Sequence, residues 1–402
     1  VVPFLSRGHV IENSHLNFKI FTIMKNILMS LLAFFAITLT ACGGDDPTPI
    51  PTPPPPSEPS EPSEPSDLIE RVVGADISWY TEMEADGRHF YNAQGEQMSC
   101  PELMRQLGVR AVRLRVWVNP ENAACQFNNT ADVVAKAKAA AAAKLNVMID
   151  FHYSDLWADP SRQQKPKAWE GLSFDQLLQK VAEHTREVLT AVKEAGVTPR
   201  WVQIGNETRS GMIYPDGALY DSNWKALPDG WKKFTQLYMA GYNAAKEVLP
   251  NAQVMPHLNT ASKQSDNLWW LEQFKAQGAK FDMVAFSHYP QVDDSSKQPT
   301  ELNTLAAQCM KQVKQKYNVP VMVAEFGVRS TANEALAASI TKDFVTKAGR
   351  AGVGILFYWE PEVYGDWRPK SYTTFFDNWP VYDMGAFSAN GRPTSVLEEW
   401  SE

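Results

Sequence analysis

Arg200-Trp201-Val202-Gln203-Ile204-Gly205-Asn206-Glu207 is a short apolar, β-rich run that ends on an amide and a carboxylate. A run of this kind reads as a buried strand. Similar runs recur at 72–78, 109–117, 147–153, 253–258, 283–289, 321–327 and 354–360, which makes eight with 200–207. Between them lie longer segments with helical spacing, at 130–144 (rich in alanine and lysine), 174–195, 231–249, 300–317 and 334–351. Hydrophobic strands alternating with helices form a parallel sheet covered on its faces, and eight such units predict an α/β fold of the closed (β/α)8 TIM-barrel kind. A doubly wound open sheet is the rival. Against it, Gly74-Ala75-Asp76-Ile77-Ser78 lacks the glycine-rich dinucleotide fingerprint.

Barrels of this type carry their active sites at the C-terminal strand ends. Here those ends hold Asp76, Arg113 and Arg115, Asp150 with His152 and Tyr153, Asn206 with Glu207, His257, His288 with Tyr289, Glu325, and Trp359 with Glu360. One such residue alone is more often a hydrogen-bonded core group. A whole ring of them points to a site. A carboxylate behind an apolar strand is costly to ionise without a paired charge or donors, so Glu207 and Glu325 each need a local reason to exist. Glycosidic cleavage supplies one, because a retaining enzyme needs a protonated carboxyl and an ionised one about 5–5.5 Å apart. The ends of strands four and seven face one another across a barrel mouth.

Asn206-Glu207 on strand four with Glu325 on strand seven resembles the large clan of retaining barrel hydrolases. Within it, several segments resemble glycoside hydrolase family 53, the endo-β-1,4-galactanases. These are Gly74-Ala75-Asp76-Ile77-Ser78, Val112-Arg113-Leu114-Arg115-Val116-Trp117, Asp150-Phe151-His152-Tyr153-Ser154-Asp155 continuing to Trp157-Ala158-Asp159-Pro160, Gly205-Asn206-Glu207, His288-Tyr289-Pro290 and Trp359-Glu360-Pro361. The resemblance spans 73–400, and its third-strand motif is the specific part. It implies retaining endo-hydrolysis of β-1,4-galactosidic bonds in galactan and the arabinogalactan type I side chains of pectin. Glu207 would be the acid/base and Glu325 the nucleophile, with Asn206 on the sugar 2-hydroxyl. Arg115 would hold the nucleophile ionised, Tyr289 would hydrogen-bond it, and Trp359 would stack on a sugar face. Asp150, His152, Trp157 and His288 complete the implied substrate-binding set. Two rival readings stand beside this one. A relative in the same clan would act on xylan, mannan or cellulose, and the third-strand motif discriminates against it. A noncatalytic surface glycan-binding protein would not need both carboxylates.

Composition agrees with a glycan substrate. Of 402 residues, 44% are hydrophobic and 21% charged, enough for one large catalytic domain, expected at 68–402 and expected to act as a monomer. The net charge is −8 with no Lys/Arg block, which excludes the electrostatic footprint of a nucleic-acid binder and suits a neutral substrate. Thirteen Trp and thirteen Tyr, many near strand ends and loops, hint at stacking surfaces, although aromatics are also core material. Upstream, Met24-Lys25-Asn26, the apolar run 27–39 and Leu39-Thr40-Ala41-Cys42-Gly43-Gly44 form a secretory signal. The Leu-Thr-Ala-Cys tetrad resembles the bacterial lipobox, which makes Cys42 the expected lipidation site and first mature residue. Residues 1–23 precede a natural start at Met24, so 1–41 is read as upstream segment and signal. The Pro/Ser/Glu-rich stretch within 42–67 is an extended linker rising about 3.1 Å per residue. Gly43-Gly44-Asp45-Asp46 resembles the export tags of Bacteroides-type surface lipoproteins, so an outer-membrane, cell-surface location is expected.

Bacterial members of the resembled family carry a calcium loop after the nucleophile strand. Phe326-Gly327-Val328-Arg329-Ser330-Thr331-Ala332-Asn333 lacks that run of oxygen ligands, so neither a metal nor a cofactor is expected. Asp377-Asn378 and Asp383 remain alternative ion ligands, though acidic loop residues are usually only solvated. Cys100 and Cys125 fall near the same barrel face and could bridge in an exported chain, a point the sequence leaves open. Cys309, inside a helical run, reads as a small hydrophobe.

Overall fold

The computed structural model of the chain describes residues 71–123, 125–371 and 382–401, all within the unit Pro65–Glu402. The expected signal, lipidation site and linker lie outside the described residues, as do Asp377 and Asn378. Eight parallel strands close a ring: β1 (Val72–Asp76), β2 (Ala111–Val116), β3 (Asn146–Phe151), β4 (Trp201–Ile204), β5, β6 (Val284–His288), β7 (Val321–Phe326) and β8 (Ile355–Trp359). Strand β5 is in two pieces, Gln253–Met255 and His257–Leu258, on either side of Pro256. The first piece pairs with β4 and the second with β6. Pro256 has no N–H to give the ladder, but its carbonyl accepts from the Ala285 N–H at 3.1 Å and bridges the break. Closure is completed where β8 pairs with β1, Asp76 opposite Trp359.

Helices cover the outside: α1 (Cys100–Gln106), α2 (Thr130–Ala142), α3 (Phe174–Glu194), α4 (Gly230–Val248), α5 (Gln264–Ala276), α6 (Pro299–Tyr317), α7 (Glu334–Arg350) and α8 (Ser395–Ser401). Their starts follow from side-chain oxygens that accept the otherwise unpaired first-turn N–H groups. Asn129 accepts from the Asp132 N–H and Asn333 from the Leu336 N–H, each at 3.0 Å, and Ser173 forms a reciprocal capping box with Gln176. Outward strand residues such as Val112, Leu114, Ile149, Val202 and Phe286 are buried against these helices in the main core.

Side chains in a strand alternate between faces, and that period sorts the interior into levels. A separate apolar cluster fills the floor, from Val72, Ala111, Met148, Trp201, Met255, Met322 and Phe357. Gly74 belongs to this level, where an added Cβ would sit 2.4 Å from the Phe357 ring. Two residues further along, six of the eight strands turn polar: Asp76, Arg113, Asp150, Gln203, His257 and Ser287 are all buried. Strand β7 departs from strict alternation. A register shift lies between Val323 and Phe326, and Glu325 then pairs with Ser287 while Phe326 packs outward. This extra residue turns Glu325 toward the interior, as bulges do.

Candidate active site

Arg113 stands at the centre of the polar level. Its Nη1 meets Asp76 Oδ2 at 2.6 Å, and its Nη2 meets Asp150 Oδ2 at 2.9 Å and Glu325 Oε1 at 2.8 Å. Nη2 also donates to Asn206 Oδ1 at 2.8 Å, and Nε to Gln203 Oε1 at 3.2 Å. Burial opposes a charge here, but Asp150, Glu325 and Asp76 outweigh it and raise the guanidinium pKa, so Arg113 remains a cation. Burial likewise pushes Asp150 up, yet Arg113 and His152 draw it down to about 2.

Glu325 is held from both sides. Beyond Arg113 on Oε1, its Oε2 accepts from the Tyr289 hydroxyl at 2.7 Å and the Ser287 hydroxyl at 3.3 Å. Glu207 is built differently. Gly205, at φ +80°, turns the chain after β4, and Glu207 itself adopts the left-handed region at φ 49°, uncommon for a residue with a side chain. Its N–H donates to His257 Nδ1 at 3.3 Å, while its carboxyl also lies against Ser287. Among the described residues no Lys or Arg forms an ion pair with Glu207. Burial lifts both carboxyls. For Glu325, Arg113 and Tyr289 act against that rise, whereas the Glu325 charge drives Glu207 further, well above the carboxylate range. A proton shared by the pair is therefore favoured on Glu207, the carboxyl that forms no ion pair among the described residues. The Ser287 hydroxyl touches both acids, so two hydrogen-bond lengths of roughly 3 Å each are an upper limit on the gap between their nearest oxygens.

The model of glycosyl hydrolase family 53 matches residues 72–348. The chain belongs to glycosyl hydrolase family 53. Its relatives include an endo-β-1,4-galactanase of Bacillus subtilis (strain 168), 28% identical over 383 residues, covering 81% of this chain and 84% of that one. An arabinogalactan endo-β-1,4-galactanase of Thermothelomyces thermophilus is 30% identical over 308 residues, covering 72% of this chain and 88% of that one. Among solved structures, the family 53 catalytic domain from Ignisphaera aggregans superposes with a TM-score of 0.69 at 26% identity, covering 84% of this chain and 97% of that domain. The protein is accordingly a glycoside hydrolase on a TIM barrel.

In this family 53 barrel the other expected site residues fall at different depths. Asn206 is at the edge of the network: its Oδ1 accepts from Arg113, and its Nδ2 spends one proton on the Ala158 carbonyl at 2.8 Å. Asp150 and His152 lie beneath the mouth. His152 Nδ1 accepts from the Ala158 N–H at 2.9 Å, which leaves Nε2 to donate to Asp150 at 3.0 Å. Trp359 is half-buried, with Tyr382 edge-on at 5.2 Å, Trp79 at 5.6 Å and Tyr289 at 6.0 Å. Trp157, nearly buried, donates to Ser371 Oγ at 3.2 Å.

Two expectations are corrected. Arg115 does not hold Glu325; that partner is Arg113, one pleat deeper at the level of Asp76. Arg115 instead pairs with Glu360 Oε1 at 2.7 Å, and its guanidinium carbon lies 4.1 Å from the Trp157 ring centroid, 5.2 Å from that of Trp117 and 5.4 Å from that of Trp79. Among the described residues its Nε and Nη2 meet no acceptor, so they lie against π faces in place of oxygens. His288 is also displaced from the mouth. As the outward member of the pleat after Ser287, it binds Asn303 Oδ1 at 2.8 Å and packs on Phe344 at 4.8 Å.

Cys100 and Cys125 are not bridged; both are buried free thiols, as is Cys309. Burial pushes Cys100 well up, and Cys125 and Cys309 to about 11, which keeps them protonated and unreactive. Among the described residues no group of three His, Cys, Asp or Glu side chains is placed to hold a metal. Asp383 is instead near Arg329, at 3.4 Å, and its carbonyl accepts from the Ser330 N–H at 2.9 Å. Sequence reasoning passed over Gln203, Ser287 and Tyr382. The first two had a readable signal, a polar residue on the inward parity of an otherwise apolar strand; Tyr382, in a late loop, had none.

Proposed function

We propose that this family 53 hydrolase cuts β-1,4-galactosidic bonds inside galactan and arabinogalactan type I chains with retention of anomeric configuration. Glu207 acts as acid/base and Glu325 as nucleophile. The observation that supports the roles is the asymmetry of the pair: Glu325 has Arg113 and Tyr289 on its oxygens, while Glu207 forms no ion pair among the described residues and is the carboxyl on which a proton is favoured. The substrate rests on the galactanases among the relatives. In the first step a Glu325 oxygen bonds to the anomeric carbon as the glycosidic C–O bond breaks, and Glu207 gives its proton to the departing oxygen. Esterification removes the Glu325 charge that had raised Glu207, so Glu207 becomes a stronger acid and stays ionised. It then takes a proton from the water that attacks the same carbon and releases Glu325. The second Nδ2 proton of Asn206 is suited to the sugar 2-hydroxyl, whose hydrogen bond strengthens in the transition state.

Azide rescue on an activated aryl β-galactoside tests the roles. Glu325→Ala leaves a space that azide fills, giving the α-galactosyl azide; Glu207→Ala still forms the glycosyl-enzyme, so azide gives the β adduct. NMR of the adducts decides, and reversed configurations would reverse the assignment. Hydrolysis of xylan, mannan or cellulose in place of galactan on a polysaccharide panel would overturn the substrate. We further propose that Cys42 carries a lipid anchor and that the 42–67 linker displays the barrel at the cell surface, on the strength of the lipobox-like Leu39-Thr40-Ala41-Cys42.

A further inference from the structure

A second aromatic surface lies beyond the charged network. A cleft of about 430 Å³ opens between the loop after β4 and the start of α5, lined among others by Arg209, Tyr220, Trp224, Asn259, Asp266 and Trp269. Trp224 is 73% exposed and Trp269 47%. Two large indoles left in water beside one another mark a surface that something covers.

The surface is built, not loose. Trp224 sits at φ +60°, rare for a bulky residue, at the tip of a turn in which Asp221 Oδ1 accepts from the N–H groups of Asn223 and Lys225, each at 2.9 Å. Tyr220 lies 6.1 Å from it, and Trp231 braces Trp269 edge-on at 5.8 Å. The floor is pinned as well. Arg209 donates to Asn259 Oδ1 at 2.6 Å and to the Asn259 carbonyl at 2.8 Å, and the Trp270 indole donates to the Arg209 carbonyl at 2.9 Å. Flat indole faces beside fixed amide and carboxylate groups match a sugar ring, which offers a C–H face and a rim of hydroxyls.

Position gives the cleft its role. Arg209 follows Glu207 by two residues, so their Cα atoms lie within about 7 Å. A general acid must stand at the oxygen of the leaving group, so the surface continuing from Glu207 lies on the leaving-group side of the bond. Trp359 and Tyr289 belong to the Glu325 side. We propose that Trp224 and Trp269, over the Arg209 floor, bind the sugar residues on the leaving-group side of a β-1,4-linked chain; this rests on Glu207 being the acid and on galactan being the substrate.

The test is the bond-cleavage pattern of β-1,4-galactopentaose, digested in ¹⁸O-water and read by mass spectrometry. For Trp224→Ala and Trp269→Ala, fewer sugars are held on the leaving-group side, so cutting moves toward the reducing end and kcat/KM falls about tenfold, the scale of a lost aromatic contact. Trp224→Tyr keeps a stacking face and restores the pattern. An unaltered pattern in both Ala variants, or a shift toward the non-reducing end, overturns the proposal. A wild-type protein that leaves the pentaose whole and cuts another β-glycan overturns the galactan reading alone; oligosaccharides of that glycan then decide the platform by the same shift. A reversed azide result separately removes the argument from the acid.

Discussion

Arg113 pairs with three carboxylates from three strands, and Tyr289 adds a hydrogen bond to the one that faces the mouth. Removing Tyr289 from that set changes only Glu325. A charge-assisted hydrogen bond contributes about 1.5–3 kcal/mol, so its loss is expected to raise the Glu325 pKa by about one unit or more. Activity on the proposed roles needs Glu325 ionised and Glu207 protonated, which gives a bell-shaped kcat/KM profile whose two limbs belong to the coupled pair. Tyr289→Phe should therefore move the acidic limb to higher pH by about one unit. A profile that only scales down, with its limbs in place, would show that Tyr289 acts on the substrate and not on Glu325.

At the scale of elements, the turn after β8 carries a second buried acid pair. Glu360, at φ 50°, faces Arg115, and Glu362 follows two residues later; both lie near the Trp79 N–H, at 3.3 Å each. Burial pushes Glu362 up to about 7, while an unfolded Glu titrates near 4.3. The folded chain thus binds this proton more tightly, so stability is full below the unfolded value and declines as pH rises from about 4.3 to about 7. Glu362→Gln should flatten that decline and lift the thermal midpoint at pH 8 by roughly 2–4 °C, the response of a large domain to about 1 kcal/mol. Calorimetry at pH 5 and pH 8 checks it, and a midpoint that falls in parallel with wild type would sink the idea. The same turn illustrates what a sequence reveals. Eight strands and their polar ends were legible because a short apolar run that ends on polar residues is a local signal, and Asn206-Glu207 and the third-strand motif marked the candidate site. Which arginine meets Glu325 was not legible, because Arg113 and Arg115 share one face of β2 and only the depth of their partners separates them. Strict alternation would even have turned Glu325 outward; the β7 irregularity that prevents this is a property of pairing, invisible in one strand.

For the whole molecule, the proposed anchor separates where the protein resides from what it cuts. Cys42→Ser should release activity from the membrane fraction into the soluble one, because the lipid on Cys42 is the proposed attachment. Equal membrane retention of the variant would count against lipidation. Inside the barrel, Trp201 and Phe357 meet edge to face at 6.0 Å among the methionines of the floor. That makes the barrel a bowl and not a pipe. A polymer lies across the rim and never threads, both fragments leave by the opening through which the chain came, and a fragment slow to depart obstructs the next arrival.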